Sequence, residues 1–317
     1  MTSRTRRFRG AVAATGVALV AALTLTACGD DASANESGSS TLTIKHAQGE
    51  TQVPTDPQKV AVLDFAVLDT LDTLGVPVAG VPKQALPPML SKYADGKYAD
   101  YGTNKTADAE AVAASAPDLI IVAGRSAASY AEMSKIAPTV DLTSDGDALE
   151  ALKSTTTTVG QIFGKQDQAS AALKKIDDQV AAAKKATAGK GDGLIVLVTG
   201  GKMSAFGAGS RFGLLHDALG VTPAAPELKV DIHGQSVSFE YIAETNPDWL
   251  FVIDRDAAIG QQSKAAMEVL DNPLVAKTTA WQKKQVVTLD GYRWYSLGSG
   301  LSNVSEMIKS VQDTFAK

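Results

Sequence analysis

The sequence predicts an α/β fold: two similar Rossmann-like lobes joined by a long helical spacer, with a ligand cleft between them. Three observations predict it. Short apolar runs suited to buried parallel strands alternate with helix-period segments over 42–145 and again over 189–317. Helix formers dominate the intervening 146–188. A spaced signature also recurs at a constant offset of 130 residues: Glu110, Pro117, Asp118 and Arg125 in the first half match Glu240, Pro247, Asp248 and Arg255 in the second. With 44% hydrophobic and 21% charged residues, the chain is neither disordered nor a multi-span membrane protein.

The first element is an export segment. Residues 1–27 carry Arg4, Arg6, Arg7 and Arg9, then the apolar run 11–26, and Leu25-Thr26-Ala27-Cys28 closes the layout of a bacterial lipoprotein signal peptide. The one cysteine of the chain is Cys28. It is the expected lipidation point, and it excludes an intrachain disulfide or a cysteine-based metal cluster. Two acyl chains hold a protein on a bilayer, and 28–41 is polar and glycine- and serine-rich, a flexible tether. The folded part is therefore expected on the outer face of the cytoplasmic membrane, as a monomer. Losing four arginines and no acid makes the mature chain four units more negative than the −5 of the full sequence. Such a surface repels nucleic acid, which is excluded as a partner.

The N-terminal lobe, 42–145, starts with a strand at 42–44. A buried strand follows at 59–63, then a helix over 66–74 stopped by Gly75. Further strands are predicted at 76–81 and 119–122. The helical spacer, 146–188, breaks near Gly164 and Lys165 and stops at Gly189. The C-terminal lobe, 189–317, has strands at 194–198, 249–253 and 285–289, and a helical run at 212–219. In both copies of the repeat a helix begins near the Glu and ends before the Pro. The strand then runs inward and the Arg emerges at its carboxyl end, where open α/β sheets bind ligands.

The mature chain has 22 lysines but only four arginines, Arg125, Arg211, Arg255 and Arg293. An arginine kept against that bias points to a site that needs a planar fork on anionic oxygens. Arg125 and Arg255 are the repeat-related pair, and Arg211 lies in a glycine-rich loop entering a helix. The bland alternative is that each pairs with a structural carboxylate, and Asp254 and Asp256 flank Arg255. Of the histidines, His46 is expected at the surface and His216 as a packed or capping residue. His233 stands in an aperiodic loop. Tyr292, Trp294 and Tyr295 form an aromatic, glycine-flanked loop after the last strand, suited to a ring-shaped ligand.

The lipobox, the two-lobe repeat, GSRFGLLHDALGV (209–221), HGQSVSFEYI (233–242) and WYSLGSG (294–300) together resemble class III substrate-binding proteins of ABC importers for iron–siderophore complexes, most closely the catecholate branch. The resemblance covers essentially the whole mature chain. It implies two lobes bridged by one long helix, a shallow cleft and little closure. It implies an anion-binding triad of Arg125, Arg211 and Arg255, with His233 and Tyr295 completing the iron shell of a tetradentate siderophore; Tyr292 is one short turn away and the register between the two tyrosines stays open. It also implies permease docking through Glu110 and Glu240, one per lobe. No intrinsic cofactor is expected: Fe(III) arrives within the siderophore. A receptor for haem, a corrinoid or a hydroxamate siderophore is the alternative. An extracytoplasmic hydrolase is a remote one, since neither a Gly-x-Ser-x-Gly elbow nor a His-Glu-x-x-His helix is present.

Overall fold

The computed structural model describes residues 40–144 and 147–316; the predicted signal peptide, Cys28 and nearly all of the 28–41 tether lie outside the described residues. Strands β1 (Thr41–His46) and β2 (Gly49–Pro54) make an antiparallel hairpin that buries Ile44 and Val53. The sequence predicts only the first of the two, because Glu50, Thr51 and Gln52 mask the alternation of the second. His46 is half-buried rather than exposed. Its Nε2 lies 2.8 Å from the Thr51 hydroxyl, its ring packs on Tyr130, and burial lowers its proton affinity.

The first sheet is all parallel. Along the chain run β3 (Val60–Val62), α1 (Phe65–Thr73), β4 (Gly80–Val81), β5 (Ala99–Asp100), α2 (Ala109–Ala114), β6 (Leu119–Val122), α3 (Tyr130–Met133) and β7 (Thr139–Asp141), and the strands align as β5-β4-β3-β6-β7. Residues of β3 and β6 are buried on both faces, which is why they read as unbroken apolar runs. The strand predicted at 76–81 shrinks to Gly80–Val81, since Pro77 has no N–H for a ladder. Position 80 needs glycine: a Cβ there would lie 2.5 Å from the Tyr101 ring.

The spacer is two helices, α4 (Ala148–Ile162) and α5 (Gln166–Thr187), broken at Gly164, which has a φ of 61°. This corrects the single bridging helix implied by the resemblance and agrees with the break read from the sequence. The second sheet follows with β8 (Asp192–Thr199), β9 (Lys202–Phe206), α6 (Leu214–Asp217), β10 (Thr222–Pro223), β11 (Gln235–Val237), α7 (Phe239–Thr245), β12 (Trp249–Asp254), α8 (Arg255–Ala258), α9 (Ala266–Leu270), α10 (Thr279–Gln282), β13 (Val286–Leu289) and α11 (Leu301–Phe315). Its order is β11-β9-β8-β12-β13, with β10 on β8 and β9 the antiparallel return of β8. The helix predicted over 212–219 is one turn, hemmed in by Gly213 and Gly220. His216, as expected, is packed: its buried Nδ1–H donates to the Val221 carbonyl at 2.8 Å.

The 130-residue repeat has a mechanical meaning. The Asp118 carboxylate accepts the backbone N–H groups of Gln58 and Lys59 ahead of β3, and Asp248 accepts that of Asp192 at the head of β8. Each Pro-Asp pair thereby ties the start of one strand to the preceding central strand. The residue before each proline is left-handed, Ala116 at φ 46° and Asn246 at φ 45°. Asparagine tolerates this, whereas for alanine it costs about 1–2 kcal/mol. Ala116→Asn is accordingly expected to stabilise the fold by about 1 kcal/mol, read as a melting-temperature rise of a few degrees.

The two halves share one core. A single buried cluster holds Val60, Val62 and Ile121 of the first sheet with Ile195, Leu197 and Phe251 of the second. Helix α11 packs on α1, α4 and α5, and its Phe315 meets Trp249 and Phe251. Asp69 of α1 caps it from outside, accepting the N–H groups of Ser302 and Asn303 at 2.8 and 3.1 Å and the Ser302 hydroxyl at 2.5 Å. Four N–H groups at a helix start have no partner within the helix, and Asp69 takes two of them. Gly300 permits the approach: a Cβ there would sit 2.6 Å from the Asp69 Oδ2.

Candidate functional site

A cleft of about 280 Å³ lies where the carboxyl ends of β3 and β6 meet the turns that follow β9 and β13. Asp64, Arg125 and Thr155 line it from the first half and spacer, and Arg211, Tyr295 and Ser299 from the second. Arg125 is carried by a 3₁₀ turn, Gly124–Ser129, directly after β6; Gly124 has a φ of 50°. Arg255 opens α8 at the end of β12. Arg211 sits in the loop after β9.

These three arginines converge on Tyr295. Their guanidinium carbons lie 4.9 Å (Arg125), 4.6 Å (Arg211) and 5.4 Å (Arg255) from the centre of its ring. An Nη2–H of Arg125 and one of Arg211 donate to the Tyr295 carbonyl at 3.1 and 3.0 Å, and Arg255 Nε–H donates to the phenol oxygen at 3.0 Å. The backbone from Tyr292 to Leu297 forms a π-helical turn, a rare conformation found often at functional sites. It ends at Gly298, φ 58°, and turns the Tyr295 carbonyl toward two arginines.

The paired-carboxylate alternative holds for only one member of the triad. Arg255 lies 3.5 Å from the Asp256 carboxylate and donates to Thr199, while Asp254 is taken up by the backbone N–H groups of Ala257 and Ala266. Among the described residues no carboxylate comes within salt-bridge distance of Arg125 or Arg211. The fourth arginine, Arg293, is structural, near Asp290 and Asn303. Desolvation and the Arg125 charge lower the Arg211 guanidinium below its ordinary value. Arg125 and Arg211 thus present N–H donors to the cleft that no carboxylate among the described residues takes up directly, with Asp64 and Asp147 elsewhere in its lining.

Burial alone would raise the Tyr295 phenol, but the Arg255 hydrogen bond and the three positive charges outweigh it, and its pKa falls below the ordinary tyrosine value. Tyr93, Tyr101 and Tyr241 are shifted upward, chiefly by burial. An alkaline absorbance titration is expected to show a phenolate step below the ordinary tyrosine range that Tyr295→Phe removes. Its persistence in that variant would assign the step elsewhere.

The aromatic loop resolves into separate roles. Tyr295 is the tyrosine at the arginines, and Tyr292 does not line the cleft. Trp294, predicted as a ligand contact, is 2% exposed and packed in the shared core, so the cleft reaches only its edge. His233 is exposed in a turn before β11, its backbone N–H donating to Asp231, and lies outside the cleft lining. Glu110 and Glu240 are exposed in the first turns of α2 and α7, also away from the cleft. The Ser238 hydroxyl bond holds Glu240 below the usual carboxylate range. Among the described residues, no group of three His, Cys, Asp or Glu side chains is placed to hold a metal ion, and no helix is long and apolar enough to cross a membrane.

Sequence reasoning missed Asp64. It follows the buried strand β3 directly, caps α1 through Ala66 and Val67, and lines the cleft. Burial raises its pKa against those two hydrogen bonds and the Arg125 charge. An Asp directly after an apolar run and before a helix was the available signal.

Residues 60–292 match the family described as periplasmic binding protein. The petrobactin-binding protein YclQ of Bacillus subtilis (strain 168) is 46% identical over 312 residues, spanning 95% of this chain and 98% of that one. Its crystal structure superposes with a TM-score of 0.84 over 88% of this chain and 99% of YclQ. The ferric-anguibactin-binding protein FatB of Vibrio anguillarum (strain ATCC 68554 / 775) is 35% identical over 85% of this chain and 86% of its own. The crystal structure of the periplasmic catecholate-siderophore binding protein VctP of Vibrio cholerae is 31% identical, with a TM-score of 0.80 over 86% of this chain and all of that one. The fold is therefore shared with these structures, and the chain belongs to the periplasmic binding protein family.

Proposed function

We propose that this chain is an extracytoplasmic receptor, not an enzyme, that binds a ferric siderophore with anionic catecholate-type oxygens and delivers it to an ABC import permease. A lipid on Cys28 holds it on the outer face of the cytoplasmic membrane. The carrying observation is the convergence of Arg125, Arg211 and Arg255 on Tyr295 at the cleft, Arg125 and Arg211 lining it with no carboxylate among the described residues at salt-bridge distance and Arg255 reaching the phenol from behind the lining. A ferric catecholate is a multiply charged anion with oxygens spaced for guanidinium forks. Relatives named for petrobactin, ferric anguibactin and a catecholate siderophore support this class. Neutral hydroxamates would leave Arg125 and Arg211 without an anionic partner.

Tyrosine quenching aside, the chain has Trp249, Trp281 and Trp294 as reporters. Titrating ferric catecholates, ferric hydroxamates and haem against tryptophan emission tests the reading. Saturable quenching with a catecholate charge-transfer band is expected, and preference for haem or a hydroxamate overturns it.

Within this reading Tyr295 and His233 serve as protein ligands to the iron of a siderophore with only two catechols. The lowered Tyr295 phenol suits ferric iron. His233 is on an exposed turn and must approach the cleft. His233→Ala and Tyr295→Phe are expected to weaken a bis-catecholate complex several-fold and a coordinatively saturated tris-catecholate little. Equal behaviour toward both removes the direct-ligand role.

A further inference from the structure

Val230 and Ile232 are 67% and 72% exposed, and among the described residues the only other exposed large apolar side chain is Met267. Scattered exposed apolar residues are normal, but these two stand two positions apart, in the turn that also carries His233. The position of that turn is informative. Segment 228–234 runs alongside the glycine-rich loop that presents Arg211. A Cβ at Gly207 would lie 3.2 Å from Leu228 and one at Gly209 would lie 3.3 Å from Val230, while Gly234 rests on the Phe206 ring before β11 pairs with β9. The glycines of the arginine loop thus admit the apolar segment at contact distance. Val230 sits against Gly209, two residues before Arg211, whose guanidinium is 4.6 Å from the Tyr295 ring centre.

The arginines supply donors for anionic oxygens and nothing for the apolar faces of the rings that bear them. Val230, against Gly209, and Ile232, two positions on, lie outside the cleft lining on the same turn as His233, and two aliphatic side chains kept in water there have a use if a ring covers them. We propose that Val230 and Ile232 form an apolar lip on the arginine loop against which the aromatic rings of a bound siderophore rest, carrying His233 with them. This rests on the receptor reading and adds an aryl subsite to it. The competing occupant, a permease subunit seated on the same pair, makes the opposite prediction for binding.

The test uses the whole mature chain. Because both side chains are exposed, Val230→Ser with Ile232→Ser leaves the core untouched, and a melting curve checks this. Removing two aliphatic contacts is expected to weaken a ferric bis-catecholate by roughly tenfold or more, with Val230→Leu and Ile232→Leu retaining near wild-type affinity. Independently, a gallium(III) bis-catecholate added to the wild-type chain is expected to move the Val230 and Ile232 methyl NMR signals upfield by ring current. Unchanged affinity in the serine variant overturns the lip, as does the absence of a methyl shift on saturation. Normal affinity with lost uptake in cells assigns the pair to the permease and overturns it too. If the wild-type chain binds no ferric catecholate at all, the receptor reading fails first, and the two failures are told apart by that control.

Discussion

Arg125→Ala, Arg211→Ala and Arg255→Ala are each expected to weaken ferric catecholate binding by tenfold or more. Truncating one member of a desolvated charge pair typically costs roughly 2–5 kcal/mol, and each guanidinium here is held in a defined place by Tyr295. The effect on the ligand-free protein runs the other way for Arg211. Arg125 and Arg211 have no carboxylate partner among the described residues, and the Arg125 charge disfavours the Arg211 cation. Removing Arg211 relieves like-charge repulsion, so the melting temperature should hold or rise while affinity falls, as active sites often trade stability for function. Arg255→Ala should differ, because Asp256 then loses its nearest cation and keeps only the neutral donors of Gly200, Thr199 and Ser263. Lysine at any of the three should recover part of the affinity, since the charge returns without the fork. Titration of the three alanine variants checks this, and wild-type affinity in all of them would remove the triad from the site.

The second large effect is on transport. Glu110→Lys with Glu240→Lys is expected to abolish siderophore-dependent uptake in cells or proteoliposomes, with ferric siderophore affinity within about twofold. Both glutamates are exposed, stand at equivalent places in the repeat and lie outside the cleft lining. A receptor that meets two permease subunits needs one contact on each half. A purely local role makes the contrary forecast: an acid in the first helical turn contributes about 0.3–1 kcal/mol through the helix dipole, so uptake would persist and stability would drop slightly.

What could be read from the sequence follows from how locally each feature is determined. Strands β3, β6, β8 and β12 are buried on both faces, so their apolar runs are unbroken. The Gly164 break is likewise fixed by neighbours along the chain, and the Pro-Asp pairs, though bonded to distant strand starts, show through their recurrence at one offset. The convergence of three scarce arginines was legible through composition and repeat spacing. Features set by distant contacts were not. Strand β2 is defined by pairing with β1, Trp294 is buried because α11 and α1 close over its turn, and α11 itself is fastened by Asp69, more than two hundred residues away. Asp64 reads as an ordinary cap until the cleft is seen beside it.

The core shared by the two sheets limits what ligand binding can change. Parting the halves would expose Ile195, Leu197 and Phe251 together with the face of α11, at about 25 cal/mol for each square ångström of apolar surface, and would break the Asp69 clasp. A receptor built this way has no wide-open empty state to distinguish it from its loaded one. On the proposed docking through Glu110 and Glu240, empty and loaded copies would present nearly the same surface, and unloaded receptor is expected to compete for the same permease. Uptake should then pass through a maximum as receptor is raised at fixed siderophore, and the ratio of receptor to transporter in the membrane becomes a control on iron flux.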